Sequence, residues 1–250
     1  MQVESIFENL PNFRQAGGKG IINQHGQKVK DGHLFRSSRS DFITDKEKAV
    51  FDQLGIKCII DLRGKREYER ADGDKVLDDM FHPCILDRGQ LSELTPSGSK
   101  LQRRKAAQDG NHSTDLPSHG HRYLVNMMTK DLLCYLFHKL NFCIRYLSLL
   151  LILVDWLCGC QLFMRFFSRA VLNQLEISQL YVDILEFSKP AVVDTMRLIV
   201  EGDNIPILIL CAHGKDRTGM IVAIILACLE VDDEIIALDY AQSEVRKLHA

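Results

Sequence analysis

Residues 207–219 read Ile207-Leu-Ile-Leu-Cys211-Ala-His-Gly214-Lys-Asp-Arg217-Thr-Gly219. A short apolar run ends in a cysteine and gives way at once to glycines, a lysine, an aspartate and an arginine. The run suits a buried strand, and residues 218–231 are apolar nearly all round, as a helix packed between a sheet and another layer is. Strand, tight loop and helix over 205–231 make an α/β unit. The loop then stands at a helix N-terminus, where the first amides have no intrahelical partner. Curled into a cradle, the amides of residues 212–217 (Ala212, His213, Gly214, Lys215 and onward) would hold an oxyanion, helped by the helix dipole. Gly214 and Gly219 relieve crowding where backbone approaches a ligand.

The same field acts on the sulfur. A thiol with an ordinary pKa of ~8.5 is lowered by several units at a helix N-terminus beside a cation. Arg217, six positions after Cys211, can fold over the loop and present a planar fork to two oxygens of one tetrahedral anion. A thiolate beneath a phosphate so held is a nucleophile in line with the leaving group, and attack gives a cysteinyl-phosphate that water hydrolyses. Thr218 can donate its hydroxyl to the sulfur as it departs. No metal or cofactor is required, because amides and arginine meet the transition-state charge.

Working outward, residues 44–70 form a second α/β unit. Thr44-Asp-Lys-Glu47 is a capping box, Ala49 to Leu54 give a short helix, and Gly55 stands where a left-handed C-cap belongs. Ile56 to Leu62 is an apolar strand, with Asp61 and Arg63 at its C-terminal end. Open α/β sheets bind ligands at that edge, which makes Arg63 a candidate for substrate binding; a surface ion pair with Asp61 is the alternative. Residues 176–200 have a helical pattern around Pro190, and Asp232 opens a last helix with acids in its first turn.

Two stretches stand apart. Residues 89–122 are polar and rich in Pro, Gly, Ser and His, and read as a mobile insertion. Residues 123–175 read as an apolar helical insertion or lid. Within it, Tyr146 to Met164 is about as long and apolar as a membrane span, interrupted by Asp155 and flanked by Lys139, Arg145, Arg165 and Arg169. A lid or interfacial helix ranks first, a buried helix second and a span last. A single crossing would separate two strands that one sheet needs on the same side.

Composition bounds the rest. The 250 residues are 46% apolar and 26% charged, with a formal net charge of -2, so no basic surface points to nucleic acid. One domain over 1–250 is expected. The eight cysteines form no CxxC pair, which favours a reducing, cytoplasmic compartment over disulfides or zinc. Membrane-surface association through residues 140–170 is the one further partner suggested.

The motifs also carry a resemblance. CAHGKDRTG, Asn12-Phe-Arg-Gln-Ala-Gly-Gly18, Gly32-His-Leu-Phe-Arg-Ser37, Ile59-Ile-Asp-Leu-Arg63 with Glu67, and Asp239-Tyr-Ala-Gln-Ser-Glu244 together resemble the tyrosine-phosphatase-like family of cysteine-dependent phosphatases. The motifs bracket residues 8–70 and 176–246. The resemblance implies a central, mostly parallel sheet with helices on both faces and a helical lid. It implies Cys211 as nucleophile and Arg217 as phosphate binder. Asp216 is the first choice for leaving-group acid and Asp61 the second. Lys215 adds rim charge, which in this group accompanies action on phosphoinositides as well as phosphotyrosine or phosphoserine. Two departures stand out. Leu210 replaces a histidine before the cysteine, and Gln15 replaces an acid, loosening a pairing with an arginine. His213 is a solvent-facing loop residue that could compensate the first. The competing readings are a phosphate-binding pseudophosphatase or membrane-associated scaffold, and a sulfur-transfer domain.

Overall fold

The computed structural model describes residues 7–94, 120–158, 162–174 and 176–245. Among the described residues seven strands make one sheet: β1 (Arg14–Gln15), β2 (Leu34–Ser37), β3 (Cys58–Asp61), β4 (Phe81–Asp87), β5 (Gln90–Glu93), β6 (Gly120–Leu124) and β7 (Ile207–Leu210). Their order is β1-β2-β7-β3-β6-β4-β5. Pairing is parallel from β2 to β4, and the two edges, β1 with β2 and β4 with β5, are antiparallel. Parallel neighbours need long crossovers, and helices supply them. In sequence order these are α1 (Asp45–Gln53), α2 (Lys65–Arg70), α3 (Lys130–Lys139), α4 (Phe142–Cys158), α5 (Leu162–Gln174), α6 (Ile177–Phe187), α7 (Lys189–Val200), α8 (Asp216–Cys228) and α9 (Asp233–Val245). The mostly parallel α/β architecture expected from the sequence is the one observed.

Strand alternation explains the two layers. Phe35, Ile59, Leu208 and Leu210 share one core with Phe51 of α1, Phe7, Phe13 and Phe81. Leu34, the neighbour of Phe35, joins Val222 and Leu226 of α8 and Ile235 and Ile236 of α9 on the opposite face. All four residues of β7 are buried, as suits a strand covered on both sides. At the start of α1 the capping box is complete: Thr44 accepts from the Glu47 amide, and the Glu47 carboxylate accepts from the Thr44 amide.

The C-terminal edge of the sheet holds an unusual density of buried charge. Arg14, Arg36, Arg63 and Arg122 are all at most 1% exposed. Guanidinium groups survive such burial when a carboxylate pairs with the charge. Arg14 and Arg36 share Asp239, and Arg63 lies between Asp41 and Asp61. Arg122 donates to Asp78 (3.1 Å), Ser40 (2.7 Å) and Tyr68 (3.3 Å). Burial works to discharge Arg63, but Asp61 and Asp41 hold its pKa above the ordinary arginine value.

By internal contacts the chain divides into two compact units, Met1–Asn126 with Pro190–Ala250, and Met127–Lys189. In the second unit, Tyr135 of α3 packs on Phe187 of α6 with ring centroids 4.7 Å apart. Asp183 of α6 accepts from Lys139 at 2.8 Å and from Gln179 at 3.0 Å. α4 and α5 form a helical hairpin closed by Asp155, whose two carboxylate oxygens accept from the amides of Leu162 (2.7 Å) and Phe163 (2.8 Å). The charge that interrupts the apolar run is therefore the N-terminal anchor of the next helix. Among the described residues no helix is long and apolar enough to cross a membrane.

Two sequence expectations are corrected. The polar insertion over 89–122 is ordered at both ends: β5 occupies Gln90–Glu93, and β6 begins at Gly120 between β3 and β4. Arg122, at the end of that stretch, is a core residue; residues 95–119 lie outside the described ones. The helix over 176–200 is two helices, broken at Ser188, with Pro190 in the first turn of α7, where its missing N–H costs nothing. Beside the Gln15 substitution, Arg14 and Arg36 are both paired, with Asp239. The Gln15 amide bonds Gly18, Asp31 and Gly32.

Candidate active site

Sheet register assembles the site. Leu210, the last residue of β7, lies opposite Ser37 of β2 and Asp61 of β3. The residues that follow all three strands therefore converge at one edge, with Cys211 in the middle and only 3% exposed. Leu210 itself is sealed in the core. Position 210 therefore supplies packing, and no ionisable group stands beside the cysteine there.

The loop after Cys211 is held from outside by its carbonyls. The backbone N–H of Arg39 donates to Ala212 O (3.5 Å), Asn12 Nδ2 to His213 O (2.9 Å), and Arg36 Nη2 to Gly214 O (2.9 Å) and Lys215 O (3.4 Å). In a trans peptide the N–H points opposite to the C=O. Tying four successive carbonyls to the scaffold thus turns the amides of His213, Gly214, Lys215 and Asp216 to the other side, the geometry of an oxyanion cradle. Gly214 has φ +66°, and a Cβ there would stand 2.4 Å from the Ser37 carbonyl. A Cβ at Gly219 would stand 2.6 Å from the Tyr240 ring. Both glycines are required by contact.

Arg217 stands in the first turn of α8. Its Nη1 donates to Glu67 Oε2 (2.8 Å) and Leu62 O (3.1 Å), and its Nη2 to Glu67 Oε1 (2.7 Å). A guanidinium has five N–H groups in a fixed plane. Glu67 takes the end-on edge, which leaves the Nε–H and the second Nη2–H, side by side, for two oxygens of an anion. Burial works against the charge, but Glu67, Cys211 and Asp61 keep the Arg217 pKa above the ordinary value. Thr218 is fully buried, and its hydroxyl has no hydrogen-bond partner among the described residues. Such a group costs stability unless a partner arrives during function.

The other predicted residues sort as follows. Ala212, His213 and Lys215 line the loop, with His213 solvent-exposed. Asp216 is half-buried, its Oδ1 accepting from the Tyr240 hydroxyl at 3.4 Å. Asp61 is fully buried, with both oxygens bonded to Arg63. Arg63 makes the ion pair with Asp61 that was the alternative reading, but buried: it turns inward between Asp41 and Asp61, with a side chain 1% exposed. Sequence reasoning missed the roles of Glu67, Arg36 and Asn12. The signal was present, since each belongs to a motif that the resemblance had quoted.

Strand, loop, cysteine and oriented arginine thus meet at one edge of the sheet. The chain matches the family model described as "Tyrosine phosphatase family" over residues 6–138 and 164–250, and it belongs to that family. The unmatched stretch between them contains α4. No curated protein matches the chain. Membership supports phosphatase activity in general, on phosphorylated substrates.

Proposed function

We propose that the protein is a cysteine-dependent phosphomonoesterase acting on phosphotyrosine, with phosphoserine and phosphoinositides within reach of the same site. The observation that carries this reading is the pair of constraints around Cys211: four carbonyls tied outward, and Arg217 fixed by Glu67 with one fork open. The Cys211 thiolate attacks phosphorus, and the bond from phosphorus to the ester oxygen breaks. Asp216 delivers its proton to the departing oxygen. Asp61 is the poorer choice, because both of its oxygens are committed to Arg63 in a sealed site. In the second step Asp216 takes a proton from water as that water attacks phosphorus. The sulfur–phosphorus bond breaks, and the Thr218 hydroxyl donates to the leaving thiolate. Inorganic phosphate and the free enzyme result.

Turnover of an aryl phosphate tests the proposal. Cys211→Ser and Arg217→Ala should each abolish it, while Asp216→Ala should slow it most for poor leaving groups. Wild-type rates from Cys211→Ser would refute the nucleophile. Binding of the aryl phosphate without phosphate release would favour the pseudophosphatase reading instead.

A second reading, membrane-surface association through residues 140–170 of a cytoplasmic protein, has its own support. Phe142, Tyr146, Leu150, Leu153, Trp156 and Leu157 of α4 are all more than half exposed. Exposed apolar patches of this kind are uncommon on proteins that meet only water. Arg165 and Arg169 of α5 are also exposed and suit anionic headgroups. Among the described residues Cys58, Cys84, Cys134, Cys143, Cys211 and Cys228 are free thiols, which suits a reducing compartment. Trp156 is the single tryptophan of the chain, so its emission should shift to the blue on anionic vesicles. An unchanged spectrum, with the protein left in the supernatant on sedimentation, would reject this reading.

A further inference from the structure

The far end of the catalytic strand carries a cavity of about 340 Å³, within the size range of ligand sites. Its floor is apolar and buried: Ile207 opens β7, and Ile225 and Leu226 belong to the last turn of α8. Its rim is exposed and basic, with Lys28, Lys30 and His33. The polar side chains of the wall are already satisfied. Gln15 is fully bonded to Gly18, Asp31 and Gly32. Asn23 donates to Leu229 O and accepts from the amides of His25 and Gln27. No wall group therefore asks for a polar ligand atom deep inside. At the rim, Lys28 pairs with Asp31 at 2.8 Å, whereas Lys30 makes no ion pair with any described residue.

We propose that this cavity binds a single-chain anionic amphiphile, with the chain on the isoleucine floor and the acidic head at Lys28 and Lys30. The chemistry follows from the division of the lining: a dry apolar floor rewards a hydrocarbon tail, and a cationic rim rewards one negative head. The position matters to the loop as well. β7 runs from this cavity to Cys211, and α8 runs from Asp216 back to it, a helix of 13 residues and about 20 Å. An occupant thus grips the far ends of the two elements that hold the cysteine loop. The site does not depend on the phosphatase reading, and its failure would leave that reading untouched.

Calorimetric titration with dodecanoate below its micellar concentration, alongside dodecanol and dodecyltrimethylammonium, tests the site. One molecule of dodecanoate should bind per chain, more tightly than either comparison compound. Ile225→Trp fills the floor and should abolish binding. Leu229→Trp does the same from the more exposed rim, should the first variant fold poorly by circular dichroism. Lys28→Glu with Lys30→Glu should weaken dodecanoate at least tenfold and leave dodecanol unchanged. Binding that survives both tryptophan variants would place the amphiphile elsewhere, with α4 the obvious competitor, and would overturn the proposal. So would no binding at all. Loss with tryptophan but indifference to the lysine reversals would overturn the anionic class.

Discussion

Glu67→Gln isolates the orientation of Arg217 from its charge. The wild-type carboxylate makes two charge-assisted bonds to the guanidinium, at 2.8 and 2.7 Å, while Leu62 O holds Nη1 independently. Glutamine keeps the shape but offers one neutral acceptor, and its NH₂ group faces the guanidinium. Bonds to charged groups contribute about 1.5–3 kcal/mol each and neutral ones about 1. Glu67 is 37% exposed and Arg217 14%, so solvent screening reduces the upper figure. A net loss of about 1.5–2.5 kcal/mol in holding the fork on the phosphate translates to roughly ten- to seventyfold in kcat/KM. Steady-state hydrolysis of an aryl phosphate is the assay, with the melting temperature as a control. Stability should change little, because the pair is partly solvated. A variant within twofold of wild type would refute the argument that Glu67 positions Arg217. A collapse in melting temperature would show the pair to be structural.

Gly214→Ala should abolish turnover and cost about 2–4 kcal/mol by chemical denaturation, from left-handed strain and the clash with Ser37. Gly20→Ala, also at positive φ but in open space, should cost only about 1 kcal/mol, and equal losses would contradict the steric account. Burial opposes the charge of Glu47, but bonds from Asn9 and Thr44 outweigh it and lower its pKa from 4.5 to about 2. A depressed carboxylate stabilises above its unfolded pKa, so about 3 kcal/mol is present at pH 7 and lost as pH falls from 4.5 towards 2. The stability gap between wild type and Glu47→Gln should close over that window; a gap independent of pH would exclude the mechanism. Asp155→Ala should cost about 1 kcal/mol in the second unit and speed hydrogen exchange at the amides of Leu162 and Phe163. Unchanged exchange at those amides would argue against the cap.

Sequence carried most of the reacting centre because its constraints are local. The strand, loop and helix around Cys211 are contiguous and can be read in one window, although the residues that demand Gly214 and Gly219, Ser37 and Tyr240, lie elsewhere in the chain. The capping box of α1 was legible for the same reason. β6 was not. Gly120-His-Arg-Tyr-Leu124 ends a polar run, and only its pairing with β3 and β4 makes it a strand. β4 carries Pro83, which reads against a central strand. The burial of Arg63 was not legible, because a lone arginine at a strand end says nothing of the Asp41 that also claims it, 22 residues earlier in the chain. Arg36 and Asn12 act on carbonyls about 180 and 200 residues away, and no window of sequence shows such a partner.

Asp239 gives the assembly an order in time. The aspartate on α9 neutralises both Arg14 and Arg36, and Arg36 in turn holds the loop carbonyls. During synthesis the cysteine and its arginine emerge before the residue that makes their cradle stable. A nascent chain halted short of position 239 would carry Cys211 and Arg217 but lack the carboxylate that pairs Arg36. The last support of the loop therefore arrives with the docking of one late helix.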